Sequence, residues 1–200
     1  MMTAQPDLFQ NYDAISPAEV DGLRYIPDFV ASTEASELIN TIDQQPWLTD
    51  LKRRVQHYGW KYDYQAQKID TSMKLGPLPK WLSIYCKQLL EQGHFSIMPD
   101  QVIVNEYQPG QGISPHIDCV PCFGETIASL SFGSACVMEL THPNCLKVSQ
   151  PLESNSLLVL SGDARYKWKH SIPTRKTDRY NGQTIVRSRR VSLTFRNVIV

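Results

Sequence analysis

The spacing of apolar positions divides the chain near residue 100. Before it, the pattern is mixed and partly helical. Ser16-Pro17-Ala18-Glu19 and Ser32-Thr33-Glu34-Ala35 have the hydroxyl-then-acid order of helix starts. After the second, Leu38, Ile39 and Ile42 form a stripe at helical spacing. A basic, aromatic stretch follows: Lys52, Arg53, Arg54, His57, Tyr58, Trp60, Tyr62 and Tyr64. Pro77 and Pro79 mark a loop, and Trp81 to Glu91 returns to helical spacing. Beyond residue 100, short apolar runs alternate with turn residues. QVIVNEY stops at Pro109-Gly110, then TIASLSF, ACVMEL and SLLVLSGD follow, and RRVSLTFRNVIV closes the chain. Asn181-Gly182 is a two-residue hairpin signal. Repeated short strands with turns between them predict a sandwich or barrel. The expected architecture is α+β, mostly β, in a single domain over residues 1–200. A helical N-terminal part (about 1–100) packs on a C-terminal jelly roll (about 101–200).

Two hundred residues, 42% apolar and 20% charged, suit a soluble globular domain. No apolar run reaches the roughly 20 residues needed to span a bilayer. The acidic N-terminus lacks the charged and then apolar regions of a signal peptide, so a cytoplasmic location is expected. Five cysteines are an odd number, which speaks for a reducing compartment. Cys119-x-x-Cys122 has no second pair at zinc-binding spacing, so free thiols beside a metal centre are expected. Net charge is zero, yet unevenly spread. Residues 1–50 carry Asp7, Asp13, Glu19, Asp21, Asp28, Glu34, Glu37, Asp43 and Asp50 against Arg24. Residues 165–190 carry Arg165, Lys167, Lys169, Arg175, Lys176, Arg179, Arg187, Arg189 and Arg190 against Asp178. Such a basic segment suits phosphate contacts, or is a solvated loop.

The chemistry concentrates in a few positions. His116 and Asp118 are two apart, and residues i and i+2 of a strand point to one side. With a distant His170 they compose the two-histidine, one-carboxylate set of non-haem Fe(II) oxygenases. Arg190 and Arg196 also share a strand face, with Cα atoms roughly 20 Å apart at about 3.3 Å per residue. Leaning inward, their planar forks could hold the two ends of a short dicarboxylate. Val191, Leu193 and Phe195 take the other face, which is equally compatible with two surface charges. Asn105 and Tyr107 form a further i, i+2 pair able to donate to the same anion.

Together, NEYQPGQGISPHID, SGDARYKWKHSIP and RRVSLTFR resemble the signature blocks of the AlkB-type Fe(II)/2-oxoglutarate dioxygenases. The motif core covers residues 105–196, with looser likeness back to about residue 53. The resemblance implies a double-stranded β-helix with N-terminal helices and a nucleotide-recognition lid. It implies Fe(II) on His116, Asp118 and His170, with 2-oxoglutarate and O2 as cosubstrates. Arg190, helped by Tyr107, would take the distal carboxylate of 2-oxoglutarate, and Arg196, helped by Asn105, the end near the metal. RRVQHYGWKYDY would be the lid, with Trp60 and Tyr62 gripping a flipped base and Arg53 or Arg54 meeting phosphate. The implied activity is oxidative dealkylation of alkylated bases in DNA or RNA, releasing succinate, CO2 and an aldehyde. Val120 and Pro121 stand where base-repairing members carry an acidic pair. Several blocks are similar to the AlkB-like domain of the tRNA wobble-uridine hydroxylase, so hydroxylation of a modified wobble uridine is the alternative. A non-catalytic nucleic-acid-binding module and a protein hydroxylase are the remaining readings.

Overall fold

The computed structural model describes residues 13–49 and 51–200. Asp7, Asp50 and the start of the acidic N-terminus, before residue 13, lie outside the described residues. In chain order the first strands are β1 (Asp13–Ala14), β2 (Leu23–Ile26), β3 (Arg54–Tyr58), β4 (Gln101–Tyr107) and β5 (Ile113–His116). Next come β6 (Ile127–Gly133), β7 (Cys136–Thr141), β8 (Leu146–Leu152) and β9 (Ser156–Leu160). The last are β10 (Lys169–Ile172), β11 (Thr177–Tyr180), β12 (Gln183–Val186) and β13 (Arg190–Arg196). The helices are α1 (Ser32–Asp43), α2 (Lys80–Glu91) and the short α3 (Gly162–Tyr166).

Two sheets face each other in a jelly roll. The major sheet runs β2-β9-β6-β13-β4-β3 and the minor one β1-β8-β7-β10-β5. Alternation along the central strands sorts the side chains. Val191, Leu193 and Phe195 of β13, with Val102 and Val104 of β4, pack against Leu38, Ile42, Leu82 and Leu89 of α1 and α2. The opposite parity of both strands faces the space between the sheets. Strand β4 is therefore buried along its whole length, with helices on one side and the cleft on the other. A second core, including Phe123, Met138, Leu140, Leu158 and Trp168, fills the rest of that space.

Several expectations change. Ser16-Pro17-Ala18-Glu19 forms one capped 3-10 turn, Pro17–Glu19, because the chain enters β2 only four residues later. The division at residue 100 is not kept. Strands β2 and β3 from the first hundred residues are the two edges of the major sheet, and β1 extends the minor sheet. Asn181-Gly182 does turn a hairpin, β11–β12, with both residues at positive φ (48° and 77°), as a type I′ turn requires. Among the described residues, no helix is long and apolar enough to cross a membrane.

Candidate active site

Strand pairing brings the distant histidines together. In the minor sheet β10 pairs with β5, and His170 lies directly opposite His116. Their rings are 4.3 Å apart, centroid to centroid. Asp118 sits two residues past the end of β5, in the loop that follows it, and is 7% exposed. Its Oδ2 is 3.9 Å from His170 Nε2, while its Oδ1 accepts a 2.8 Å hydrogen bond from Arg196 Nη2. The three side chains are thus neighbours, with the carboxylate engaged by an arginine. Among the described residues, no three His, Cys, Asp or Glu side chains already stand as a closed metal cage.

Hydrogen bonding and burial nevertheless suit these donors to a metal. His116 Nδ1 lies 2.8 Å from the Ser114 carbonyl oxygen, so Nδ1 is the donor there and Nε2 is the ring nitrogen left for a metal. Burial, only partly opposed by Asp118, pushes His170 down to about 4, which keeps it neutral near pH 7. Burial raises the Asp118 carboxyl, but Arg196, His170, His116 and Arg165 outweigh it and bring it down to about 2.

His170 sets a pH dependence in the metal-free protein. The unfolded chain protonates this histidine near pH 6.5 and the folded one only near pH 4. Stability is therefore expected to fall as pH drops from about 6.5 to about 4, by up to about 3 kcal/mol. Asp118 acts only lower: its stabilisation is held above about pH 3.8 and lost as pH falls towards 2. Denaturant midpoints measured across this range should show a slope that His170→Gln flattens. An equal slope in the variant rejects the account.

A cavity of about 620 Å³ opens beside these residues. Arg190, Ser192, Thr194 and Arg196 of β13 line it, with Ile103, Asn105 and Tyr107 of β4. Register fixes this wall, since Arg190 is opposite Tyr107, and Ser192 opposite Asn105. Arg190 is 4% exposed; its Nη2 donates to Ser131 Oγ at 2.8 Å, and its charge lies over the Tyr107 ring. Arg190 Nε and Nη1, and Arg196 Nε, are buried without a hydrogen-bond partner. Buried guanidinium N–H groups left unpaired are unfavourable. A dicarboxylate in the cavity removes the penalty, so the residues present fit 2-oxoglutarate.

The lid residues divide. Tyr62 and Arg53 line the cavity, joined by Lys52, Tyr64 and Gln67. Arg54 does not. It alternates to the other face of β3, where it forms two bonds to Glu106 (2.6 and 2.7 Å) and lies over Trp47. Trp60 is also turned away, 7% exposed, with Nε1 on Asp100 (3.0 Å) and Lys74 over its ring. Val120 and Pro121 are exposed and do not line the cavity. The thiol expectation is corrected: Cys119 and Cys122 are disulfide-bonded. A turn with Cys122 N donating to the Cys119 carbonyl sets their Cα atoms 5.2 Å apart, within disulfide reach.

The basic segment is largely consumed by structure. Arg175 and Arg187 both bind buried Asp178 at 2.6 Å, and Arg189 binds Glu106 and Asp43. Arg165, 2% exposed, donates to four backbone carbonyls of the loop that carries Asp118. Nothing in the sequence marks Arg165 as different from its basic neighbours. Ser192 and Thr194, by contrast, follow from the same alternation that placed Arg190 and Arg196.

This geometry agrees with the chain's relatives. The family model described as the 2OG-Fe(II) oxygenase superfamily matches residues 22–196, and the chain belongs to that superfamily. It is accordingly an oxidoreductase that uses Fe(II), 2-oxoglutarate and O2. Within the superfamily it falls in the AlkB family. It is 38% identical over 207 residues to "Alkylated DNA repair protein ALKBH8 homolog" of Arabidopsis thaliana, across 92% of this chain and 60% of that protein. It is 35% identical over 207 residues to "tRNA (carboxymethyluridine(34)-5-O)-methyltransferase alkbh8" of Xenopus tropicalis, across 93% of this chain and 33% of that protein. The chain thus spans less than two thirds of the length of either relative. The solved structure titled "The structure of OsALKBH1" shares the fold, with a TM-score of 0.68 at 17% identity, over 88% of this chain and 96% of that one.

Proposed function

We propose that the protein oxidises a carbon substituent on a nucleic-acid base, and that dealkylation results where the oxidised carbon sits on nitrogen. One observation carries the reading: buried arginines with unpaired N–H groups stand in the same cavity as the His116–Asp118–His170 cluster. In this reading His116 Nε2, His170 and Asp118 would hold the iron. Arg190 takes the distal carboxylate of 2-oxoglutarate over the Tyr107 ring, and Arg196 with Asn105 steadies the other end. Iron with 2-oxoglutarate and O2 supplies the oxidising power when bound. The chain's own residues bind, orient and exclude water, and Tyr62 and Tyr64 line the cavity where a base would enter. Anaerobic Fe(II) plus 2-oxoglutarate is expected to give a visible charge-transfer band, lost in both His116→Ala and His170→Ala. A band that survives in both variants refutes the ligand assignment. A panel of modified DNA and RNA oligonucleotides, read by mass shift, tests the target.

A second target, a modified wobble uridine in tRNA, has support of its own. The Xenopus relative's name refers to carboxymethyluridine at position 34 of tRNA. The positions of the acidic pair used on damaged bases hold exposed Val120 and Pro121, outside the cavity. Mass spectrometry of tRNA nucleosides with and without the gene separates the two targets, and unchanged uridine derivatives reject the second.

A further inference from the structure

The Cys119–Cys122 disulfide is not part of a framework that holds the fold. Cys86, Cys136 and Cys145 are free, so it is the only disulfide among the described residues. It joins cysteines three positions apart, and a cross-link over so short a loop removes less disorder from the unfolded chain than one over a long loop. What it restrains is local. Cys119 follows Asp118 directly and lines the cavity, and Cys122 precedes Phe123. The bond therefore closes the turn that presents the carboxylate, within the segment whose Asp118, Phe123 and Gly124 carbonyls Arg165 engages. The sulfurs also meet the lid side of the cavity. Both Sγ atoms lie against the carbonyl oxygen of Gln67, a cavity-lining residue, at 3.3 and 3.5 Å. Tyr62 packs on Phe123 just beyond, with ring centres 5.4 Å apart.

The bond is within reach of solvent. Val120 and Pro121, between the two cysteines, are exposed, Cys119 is half-buried and Cys122 is buried. Exposed disulfides are the ones that exchange with thiols. A dithiol reductant supplies what opening needs. One of its thiolates attacks Cys119 Sγ, the bond between the two protein sulfurs breaks, and Cys122 leaves as a thiolate and takes up a proton. The second thiol of the reductant then displaces Cys119, which is protonated in turn, and closes the reductant's own disulfide. Two electrons and two protons pass to the protein. Once opened, the turn keeps the Arg165 hydrogen bonds and loses its covalent tie, so its two ends are free to move apart. A thiol then faces the Gln67 carbonyl, to which a disulfide sulfur has no proton to give. We propose that Cys119–Cys122 is a reversible thiol–disulfide exchange site whose closure sets the Asp118 turn for the metal, so that metal affinity follows its redox state. The inference rests on the ligand assignment above and adds a control to it.

Metal binding, without turnover, tests it. Co(II) is titrated anaerobically into the full chain, freed of metal, in the oxidised state, after reduction with dithiothreitol that is then removed, and after reoxidation with diamide. Peptide masses after alkylation report the state of Cys119 and Cys122 in each sample. Reduction is expected to weaken Co(II) binding about tenfold, the size of effect seen when groups that orient a metal ligand are lost, and reoxidation to restore it. The Cys119→Ser/Cys122→Ser double variant should bind like the reduced protein and ignore both treatments. Equal affinity in the oxidised and reduced wild-type protein overturns the inference and needs no variant. So does tighter binding on reduction, which would make the freed thiols ligands themselves. A response to reduction that persists in the double variant, or a bond that dithiothreitol leaves intact in the folded protein, overturns it as well. In all these cases the ligand assignment stands. Oxidised protein that binds Co(II) no better than His116→Ala does overturns both.

Discussion

Arg190→Met is expected to weaken 2-oxoglutarate binding roughly 100-fold without unfolding the protein. Removing one partner of a buried, hydrogen-bonded charge pair takes away about 2–5 kcal/mol, and each 1.4 kcal/mol is tenfold. The sign in the free protein is the opposite. Arg190 is 4% exposed and spends only Nη2 on a protein acceptor, Ser131 Oγ, while Nε and Nη1 have none. A buried guanidinium in that state burdens the unliganded fold, and a methionine of similar length relieves it. Two melting curves make the check. Wild-type protein should gain thermal stability when 2-oxoglutarate and Mn(II) are added, as any ligand of the native state produces. The variant should start at or above the wild-type midpoint and gain little. A variant that melts much lower before any ligand is added would show that Arg190 serves the fold first.

The contrast between Arg190 and the other arginines explains what the sequence could disclose. Alternation along RRVSLTFR places Arg190 and Arg196 on one face and Val191, Leu193 and Phe195 on the other, and that parity is the structure's own. Period-two patterning reports which side of a strand a residue occupies, so whatever follows from sidedness is legible. The pairing of His170 with His116 is a register between strands 54 residues apart in number, and only the motif resemblance hinted at it. Strands β2 and β3 were hidden because they lie at the edges of the major sheet, among polar and aromatic residues that do not alternate cleanly. The lid shows the same limit. Arg53 and Arg54 are adjacent in sequence, yet one enters the cavity and the other crosses to Glu106. Trp60 looks like a base-stacking residue until Asp100 is seen to hold its indole. Cys119 and Cys122 depended on a turn that composition does not reveal.

Arg165 is the residue whose loss should damage both fold and site. Its Nη1 donates to the Asp118 carbonyl at 2.9 Å, Nε to Gly124 at 3.3 Å, and Nη2 to Phe123 at 3.3 Å and Cys119 at 3.4 Å. Those carbonyls belong to the loop that leaves β5, and no regular strand or helix supplies them with donors there. Beside the backbone bonds from Cys122 N and Phe123 N to the Cys119 carbonyl, one planar fork therefore ties the two ends of the segment that presents Asp118. Arg165→Met would remove a buried charge, which is favourable, and leave up to three carbonyls, those of Asp118, Phe123 and Gly124, short of a donor, which is not; each can lose about 1–3 kcal/mol if left dry. The balance is expected to be a loss of about 3 kcal/mol, seen as a midpoint roughly 10 °C lower for a domain of this size. Arg165→Lys should not rescue it, because one ammonium cannot reach carbonyls that a guanidinium spans. A second measurement separates this positioning role from simple destabilisation. Well below the variant's melting temperature, Co(II) affinity should still fall by about tenfold or more, as when the groups that orient a metal ligand are removed. A folded Arg165→Met with wild-type Co(II) affinity would mean that the loop holds Asp118 in place without the arginine.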